Sequence, residues 1–311
     1  MTISILPVSL VGGALVLAGL CMVFRNRLAE LGFAAERALN GLKHKTIEVD
    51  GETWHYLEGG EASAEAILML HGFTANKDNW TRIVGRLTKR YRVIAPDLPG
   101  FGESARHPAW SYALPAQRER LRAFVRALGL QRFHIVGSSM GGHLAALYTH
   151  AYPDQIITLG LFDNAGITAP RESEMFAALA RGENLLLTNS VKDFDRVLEF
   201  VAHKKLFVPW PAKRYLAEHA AADRDFNAHI FSQYEQDLTE GLEKILPRIK
   251  KPVLILWGRL DRILDVSSID VMRPLLPQAE VAIMEKTGHL PMFERPAETA
   301  AHYLAFIGRH R

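Results

Sequence analysis

Residues 132–148, RFHIVGSSMGGHLAALY, decide the fold. The β-branched, apolar run Phe133–Val136 has the character of a buried strand, and the residues from Met140 onward have the spacing of a helix. Between them lies Gly137-Ser138-Ser139-Met140-Gly141, the pattern G-x-S-x-G, with Gly142 after it. Glycines on both sides of the central serine let the chain turn sharply from strand into helix. The serine is then held in a strained conformation, with its hydroxyl lifted clear of the sheet. Ser139 is therefore a candidate nucleophile. A glycine-rich helix start also suits phosphate binding, but this run lacks the Lys of a P-loop and the G-x-G-x-x-G spacing of a dinucleotide site.

A serine hydroxyl needs a base, and the base needs an orienting carboxylate. Both occur downstream, each just past a predicted strand. The run PVLILWG leads into Gly258-Arg259-Leu260-Asp261, and AEVAIM leads into Glu285-Lys286-Thr287-Gly288-His289. The chain order Ser139, Asp261, His289 is the one expected of a strand-turn-helix nucleophile. Asp265 and Asp163 are rival carboxylates. The first lies four residues beyond Asp261, and the second follows the run IITLGLF, from which it could reach His289 at a neighbouring strand end. Of the remaining histidines, His71 and His143 belong near the site as structural residues, since neither sits on a late strand loop. A tetrahedral intermediate also needs donors for its oxyanion. The backbone N–H groups of Met140, after the nucleophile, and of Phe73, in the loop His71-Gly72-Phe73, are the candidates. The loop 97–104, DLPGFGES, is dense in turn formers and is expected to shape the wall of the site.

Outward from this core, eight short runs predict strands: TIEVD, TWHYLE, AILML, YRVIAPDL, RFHIVG, IITLGLF, PVLILWG and AEVAIM. Helical stretches separate the later ones, near 77–89, 115–128, 140–151, 267–276 and 296–308. An initial hairpin followed by alternating strand and helix predicts a mostly parallel eight-stranded sheet with helices on both faces. Its ligands belong at the carboxyl ends of the strands. The alternation stops between about 165 and 250, where several helical patterns occur with no convincing strand. This segment is expected to form a helical cap (165–250) over a core made of 44–164 and 251–311. Within the cap, the stretch 203–214, HKKLFVPWPAKR, mixes bases with aromatics. It suits an interface with lipid equally as well as a solvated cap edge with Phe207 and Trp210 turned inward.

The first 24 residues carry no charged side chain. As a helix, Ile3–Phe24 would be about 33 Å long, enough for a bilayer core of about 30 Å. A basic leader, a shorter apolar core and a small-residue cleavage site are not evident, which favours a retained transmembrane anchor (1–24) over a cleaved signal. An uncleaved export signal and a buried helix remain as alternatives. Arg25 and Arg27 follow, and Leu28, Leu31, Ala35, Ala38, Leu39 and Leu42 fall on one stripe of an amphipathic juxtamembrane helix (25–43). That stripe suits lipid, the catalytic domain or a second copy of the chain. Basic residues only after the span favour a cytoplasmic catalytic domain. Ala14 and Ala18 make a small-xxx-small pair of the kind that closes helix dimers, so a homodimer is a candidate state.

Composition narrows the remaining classes. With 311 residues, 48% of them hydrophobic, the chain can bury a large core and is not disordered. Its 37 Lys plus Arg against 34 Asp plus Glu give a formal charge of +3, too slight to grip a phosphate backbone, so no nucleic-acid partner is expected. The single cysteine, Cys21, excludes an internal disulfide and a cysteine metal cluster.

The strings ILMLHGFTANKDNW, APDLPGFGES, IVGSSMGGHLAALY, LILWGRLDRILDVSSID and TGHLPMFERPAETA resemble those of the α/β-hydrolase superfamily. Within it they are similar to monoacylglycerol lipases of the α/β-hydrolase domain-containing protein 6 type and to bacterial single-pass lipases and phospholipases A. The resemblance covers essentially residues 45–308, and the N-terminal anchor is shared. It implies an α/β-hydrolase fold and a membrane-tethered serine hydrolase, single-pass in a bacterial inner membrane. The implied substrate is an acyl ester of a glycerol lipid, with no cofactor and no metal. Carried over by position, Ser139 is the nucleophile, Asp261 the orienting acid, His289 the base, and Phe73 with Met140 the oxyanion hole. Ser at position 139 sets aside the related epoxide hydrolases and haloalkane dehalogenases, which use a nucleophilic Asp. Two alternatives stay open: carbon–carbon bond hydrolysis or perhydrolysis with the same three residues, and a catalytically inactive, membrane-tethered lipid-binding protein.

Overall fold

The computed structural model describes residues 22–235 and 241–310. Its centre is an eight-stranded sheet: β1 Leu42–Val49, β2 Glu52–Gly59, β3 Ala66–Leu70, β4 Arg92–Pro96, β5 Phe133–Ser138, β6 Ile156–Phe162, β7 Val253–Gly258 and β8 Glu280–Met284. The spatial order is β1-β2-β4-β3-β5-β6-β7-β8. β2 runs antiparallel to both β1 and β4, and every pairing from β4 to β8 is parallel. The eight strands, the opening hairpin and the mostly parallel sheet match the sequence-based expectation.

Strands β3, β5 and β7 are buried along their whole length, as parallel strands covered on both faces must be. Successive side chains feed two separate cores. On one face, Leu68, Leu70, Phe133 and Ile135 pack with α3 (Leu114–Ala127) and α4 (Met140–Ala151). On the other, Ile67, Met69 and Val136 pack with α2 (Thr81–Leu87) and α12 (Pro296–Gly308). Between β6 and β7 the described residues form helices only: α5 Glu174–Leu179, α6 Phe194–Val201, α7 Trp210–Ala222, α8 Arg224–Tyr234 and α9 Leu242–Ile245. The later crossovers carry α10 (Ser268–Leu275) and the short α11 (Pro291–Glu294).

The anchor expected over Ile3–Phe24 lies, up to residue 21, outside the described residues. Among the described residues no helix is long and apolar enough to cross a membrane. The helix expected over 25–43 is α1, Arg25–Leu39. It stops earlier because Gly41 takes a left-handed conformation, φ +71°, which ends the helix and turns the chain into β1 at Leu42. The predicted apolar stripe does not form the packing face of α1. Ala29 and Phe33 do, with Phe33 edge-on to Tyr215 of α7 at 5.8 Å between ring centres. Arg25 bonds Glu218 of α7 at 3.0 Å, and Arg37 forks onto Asp78 of the core at 2.5 and 2.7 Å. Leu28, Leu31 and Leu39 are left exposed, as are Phe207 and Trp210 of the cap.

The loop 97–104 is fixed by an ion cluster in which Lys77 and Asp97 are buried and Glu103 is exposed. Lys77 Nζ donates to Asp97 at 2.7 Å and also to Glu103, while the Asp97 carboxylate accepts the Lys77 and Glu103 N–H groups. Burial works against the ammonium, yet the Asp97 and Glu103 carboxylates outweigh it and hold Lys77 above its ordinary value. Removing one member of a buried pair strands the other, so Lys77→Met is expected to cost about 3–5 kcal/mol in urea unfolding. Adding Asp97→Asn to that variant is expected to restore part of the loss.

Candidate active site

Ser139 lies between β5 and α4 with φ +56°, a left-handed conformation that a non-glycine residue adopts only when its surroundings enforce it. The enforcement is visible in the backbone. The Ser139 N–H donates to Phe162 O at 3.0 Å, and its carbonyl accepts from Gly142, His143 and Ala165. A Cβ at Gly137 would sit 2.0 Å from the Gly141 carbonyl, and one at Gly141 would sit 2.3 Å from that of Leu70, so only glycine permits this turn. Gly72 brings its loop against the same residue, where an added Cβ would lie 3.1 Å from Ser139 Cβ.

Ser139 lies in an apolar pocket. The core supplies Phe73, Ile263 and Leu264, and the cap supplies Met175, Leu186 and Phe231 among others. The N–H groups of Phe73 and Met140 have no protein acceptor among the described residues, so both are free to meet an anion at this point.

Asp261 follows β7 and His289 follows β8. The two loops are laced together by Leu260 N–H to Thr287 O at 2.9 Å and Arg259 N–H to Met284 O at 3.0 Å. His289 Nδ1 lies 2.7 Å from Asp261 Oδ2, and both side chains are buried. Asp261 Oδ1 accepts the N–H groups of Ile263 and Leu264 at 2.8 and 3.1 Å, which fixes the carboxylate and leaves Oδ2 to the imidazole. His289 Nε2 has no hydrogen-bond partner among the described residues. In particular, no hydrogen bond joins it to Ser139 Oγ.

Of the rival carboxylates, Asp265 turns away to Arg171 and to the Ser267 N–H. Asp163, in contrast, is fully buried beside the Asp261–His289 pair. His71 braces two loops, accepting the Leu98 N–H at Nε2 and donating from Nδ1 to its neighbour's carbonyl. His143, on α4 itself, is buried with Nδ1 unpartnered among the described residues.

One residue of the site escaped the sequence reading. Glu294, on α11, accepts the Gly288 N–H at 2.8 Å through one oxygen and the His203 and Lys204 N–H groups at 2.9 and 3.0 Å through the other. Together with His289 N–H to Val201 O at 3.0 Å, it ties the histidine loop to the cap. Its only signal in the sequence was its place five residues after His289.

Two clusters among the described residues bring three potential metal ligands within 4.8 Å: His44, His55 and Glu103, and Asp163, Asp261 and His289. In the first, Glu103 is already paired with the Lys77 ammonium. In the second, Asp261 and His289 are bonded to each other.

The alpha/beta hydrolase fold pattern matches residues 65–296. The chain belongs to the α/β-hydrolase family. Lipase 1 of Psychrobacter immobilis is 36% identical over 273 residues, covering 87% of this chain and 86% of the relative. Monoacylglycerol lipase ABHD6 of Mus musculus is 28% identical over 268 residues, covering 83% and 80%. Among solved structures, a membrane phospholipase A described as a bacterial virulence factor superimposes with a TM-score of 0.91 at 47% identity, covering 97% of this chain and 98% of that one. This chain is accordingly a lipase-like hydrolase.

Burial pushes His143 down to about 3. A base depressed on folding contributes stability that is complete above its unfolded value of about 6.5 and is lost as pH falls toward its folded value. Replacing it by His143→Gln is expected to shrink the stability lost between pH 7 and pH 4 by about 3 kcal/mol, read from urea midpoints across that range.

Proposed function

We propose that this protein is a membrane-anchored serine carboxylic ester hydrolase that releases fatty acids from glycerol lipids, of the monoacylglycerol lipase or phospholipase A type. The observation that carries this reading is the strained Ser139 turn, opening into an apolar pocket roofed by the cap. The cavity, about 20 Å³, must widen to admit an acyl chain, but its apolar lining suits one and would bring the ester carbonyl to the Ser139 hydroxyl.

In this mechanism His289 Nε2 takes the proton of Ser139 Oγ as the oxygen attacks the carbonyl. Asp261, already on Nδ1, holds the ring in the required tautomer and offsets the charge of the imidazolium. The tetrahedral oxyanion is met by the N–H groups of Phe73 and Met140, each worth about 10² to 10³ in rate. His289 then protonates the leaving alkoxide, and a water activated by the same ring hydrolyses the acyl-enzyme. Catalytic hydrogen bonds of this kind often tighten only in the reacting complex, where Ser139 Oγ and His289 Nε2 would meet.

Membrane attachment is supported by the uncharged run Ile3–Phe24 and by the exposed Leu28 and Leu31 on the helix that follows it. In that arrangement α1 rests at the lipid interface, with Phe207 and Trp210 as further apolar contacts. The names of the relatives support glycerol lipids as the substrate class.

Ser139→Ala is expected to lower fatty-acid release from monoacylglycerol or glycerophospholipid by a factor on the order of 10⁶. The wild type, but not the variant, should react with a fluorophosphonate. Unchanged turnover in the folded variant would overturn the mechanism, and an unlabelled wild type would favour a lipid-binding protein.

A further inference from the structure

Asp163 touches the machinery just described, yet no step uses it. It is the first residue after β6, held at φ +44° and wholly shielded from solvent. Its Oδ1 accepts the Gly258 N–H at 2.8 Å. Its Oδ2 is sealed from solvent and has no hydrogen-bond partner among the described residues. An oxygen of Asp163, an oxygen of Asp261 and a ring nitrogen of His289 lie within 4.8 Å of one another.

An ionised carboxylate with one donor and no solvent is very costly, and a second negative charge beside it raises that cost. The ionisable groups that face Asp163 are Asp261 from the loop after β7, His289 from the loop after β8, and Glu294 on α11. The two carboxylic acids among them oppose its ionisation. Burial first, and then the Asp261 charge, pushes Asp163 well above the ordinary carboxylate range. A sealed oxygen without a partner is what a protonated Oδ2 would look like, with the Asp261 carboxylate as the nearby acceptor.

We infer that Asp163 is a positioning residue that stays a neutral acid and shares its proton with Asp261, so that the two carboxyl groups together present a single negative charge to His289. Loss of that proton would set two anions against each other in a closed space and push Asp261 off the imidazole. Proton transfer to His289 would then be poorly aligned, although Ser139 and the pocket would be untouched. The effect on turnover rests on the hydrolase reading, whereas the protonation state of Asp163 does not.

Two measurements decide it. With aspartate labelled at the carboxyl carbon, the Asp163 resonance of the wild type at pH 7 is expected at the protonated position and should move toward the ionised one in Asp261→Asn. An ionised Asp163 in the wild type at pH 7 overturns the inference, whether or not any ester is hydrolysed. In the second, kcat is followed against pH with fatty-acid release as the readout. Wild type should lose rate on the alkaline side as Asp163 ionises. Asp163→Asn keeps a donor, so it should hold kcat within about threefold at neutral pH and lack the alkaline loss. Asp163→Ala should lower kcat about tenfold or more with KM little changed, as expected for a misplaced reacting group. An alkaline loss that persists in Asp163→Asn, or an Asn variant no better than Ala, overturns it. If no ester is turned over and Ser139 is not labelled, the hydrolase reading fails while the carbon resonance still decides the state of Asp163.

Discussion

The tight backbone passage around Ser139 is the governing constraint of the site. Gly137 and Gly141 let β5 and α4 pass so near Leu70 and each other that Ser139, between them, has no relaxed conformation available. The strain is held in place by β6 and the segment after it, which receive the Ser139 N–H and carbonyl. Those strands are in turn fixed by two hydrophobic cores, one on each face of the sheet. The loops that bear Asp261 and His289 leave the same edge of the same sheet. Their meeting therefore depends on sheet register, which cores on both sides specify tightly.

The cap does more than cover the pocket. Val201 O and the backbone N–H groups of His203 and Lys204 all join the histidine loop, directly or through Glu294. A shift of the cap at the end of α6 would move the loop that carries His289. The position of the imidazole is thus tied by these hydrogen bonds to the segment that follows α6.

Much of this was legible in the sequence because local patterns and global fold agree. The run Phe133–Val136 with its glycines, the alternation of strands and helices, and the elbow all follow from short-range sequence. That Asp261 lies nearer the end of β7 than Asp265 was also legible, and it is the Asp261 carboxylate that meets the His289 ring. Other features were not, because they arise from contacts between distant segments. The stripe of leucines on α1 left lipid, the catalytic domain and a second copy open, and spacing alone did not show that Ala29 and Phe33 are the side chains that meet the domain, where α7 offers Tyr215 and Glu218. Nothing in the spacing of Lys77, Asp97 and Glu103 announces an ion cluster. Glu294 and the company of Asp163 appear only when the strand order is known.

The grip of α1 has a mechanical corollary. Through Glu218 and Tyr215 it is clasped to α7, and through the Arg37–Asp78 fork it is clasped to the body of the hydrolase. Swinging α7 outward like a hinged lid would have to break the bonds at one end of this strut or the other. On the proposed reading, an acyl chain could settle beside Ser139 only once one of these two clasps had yielded.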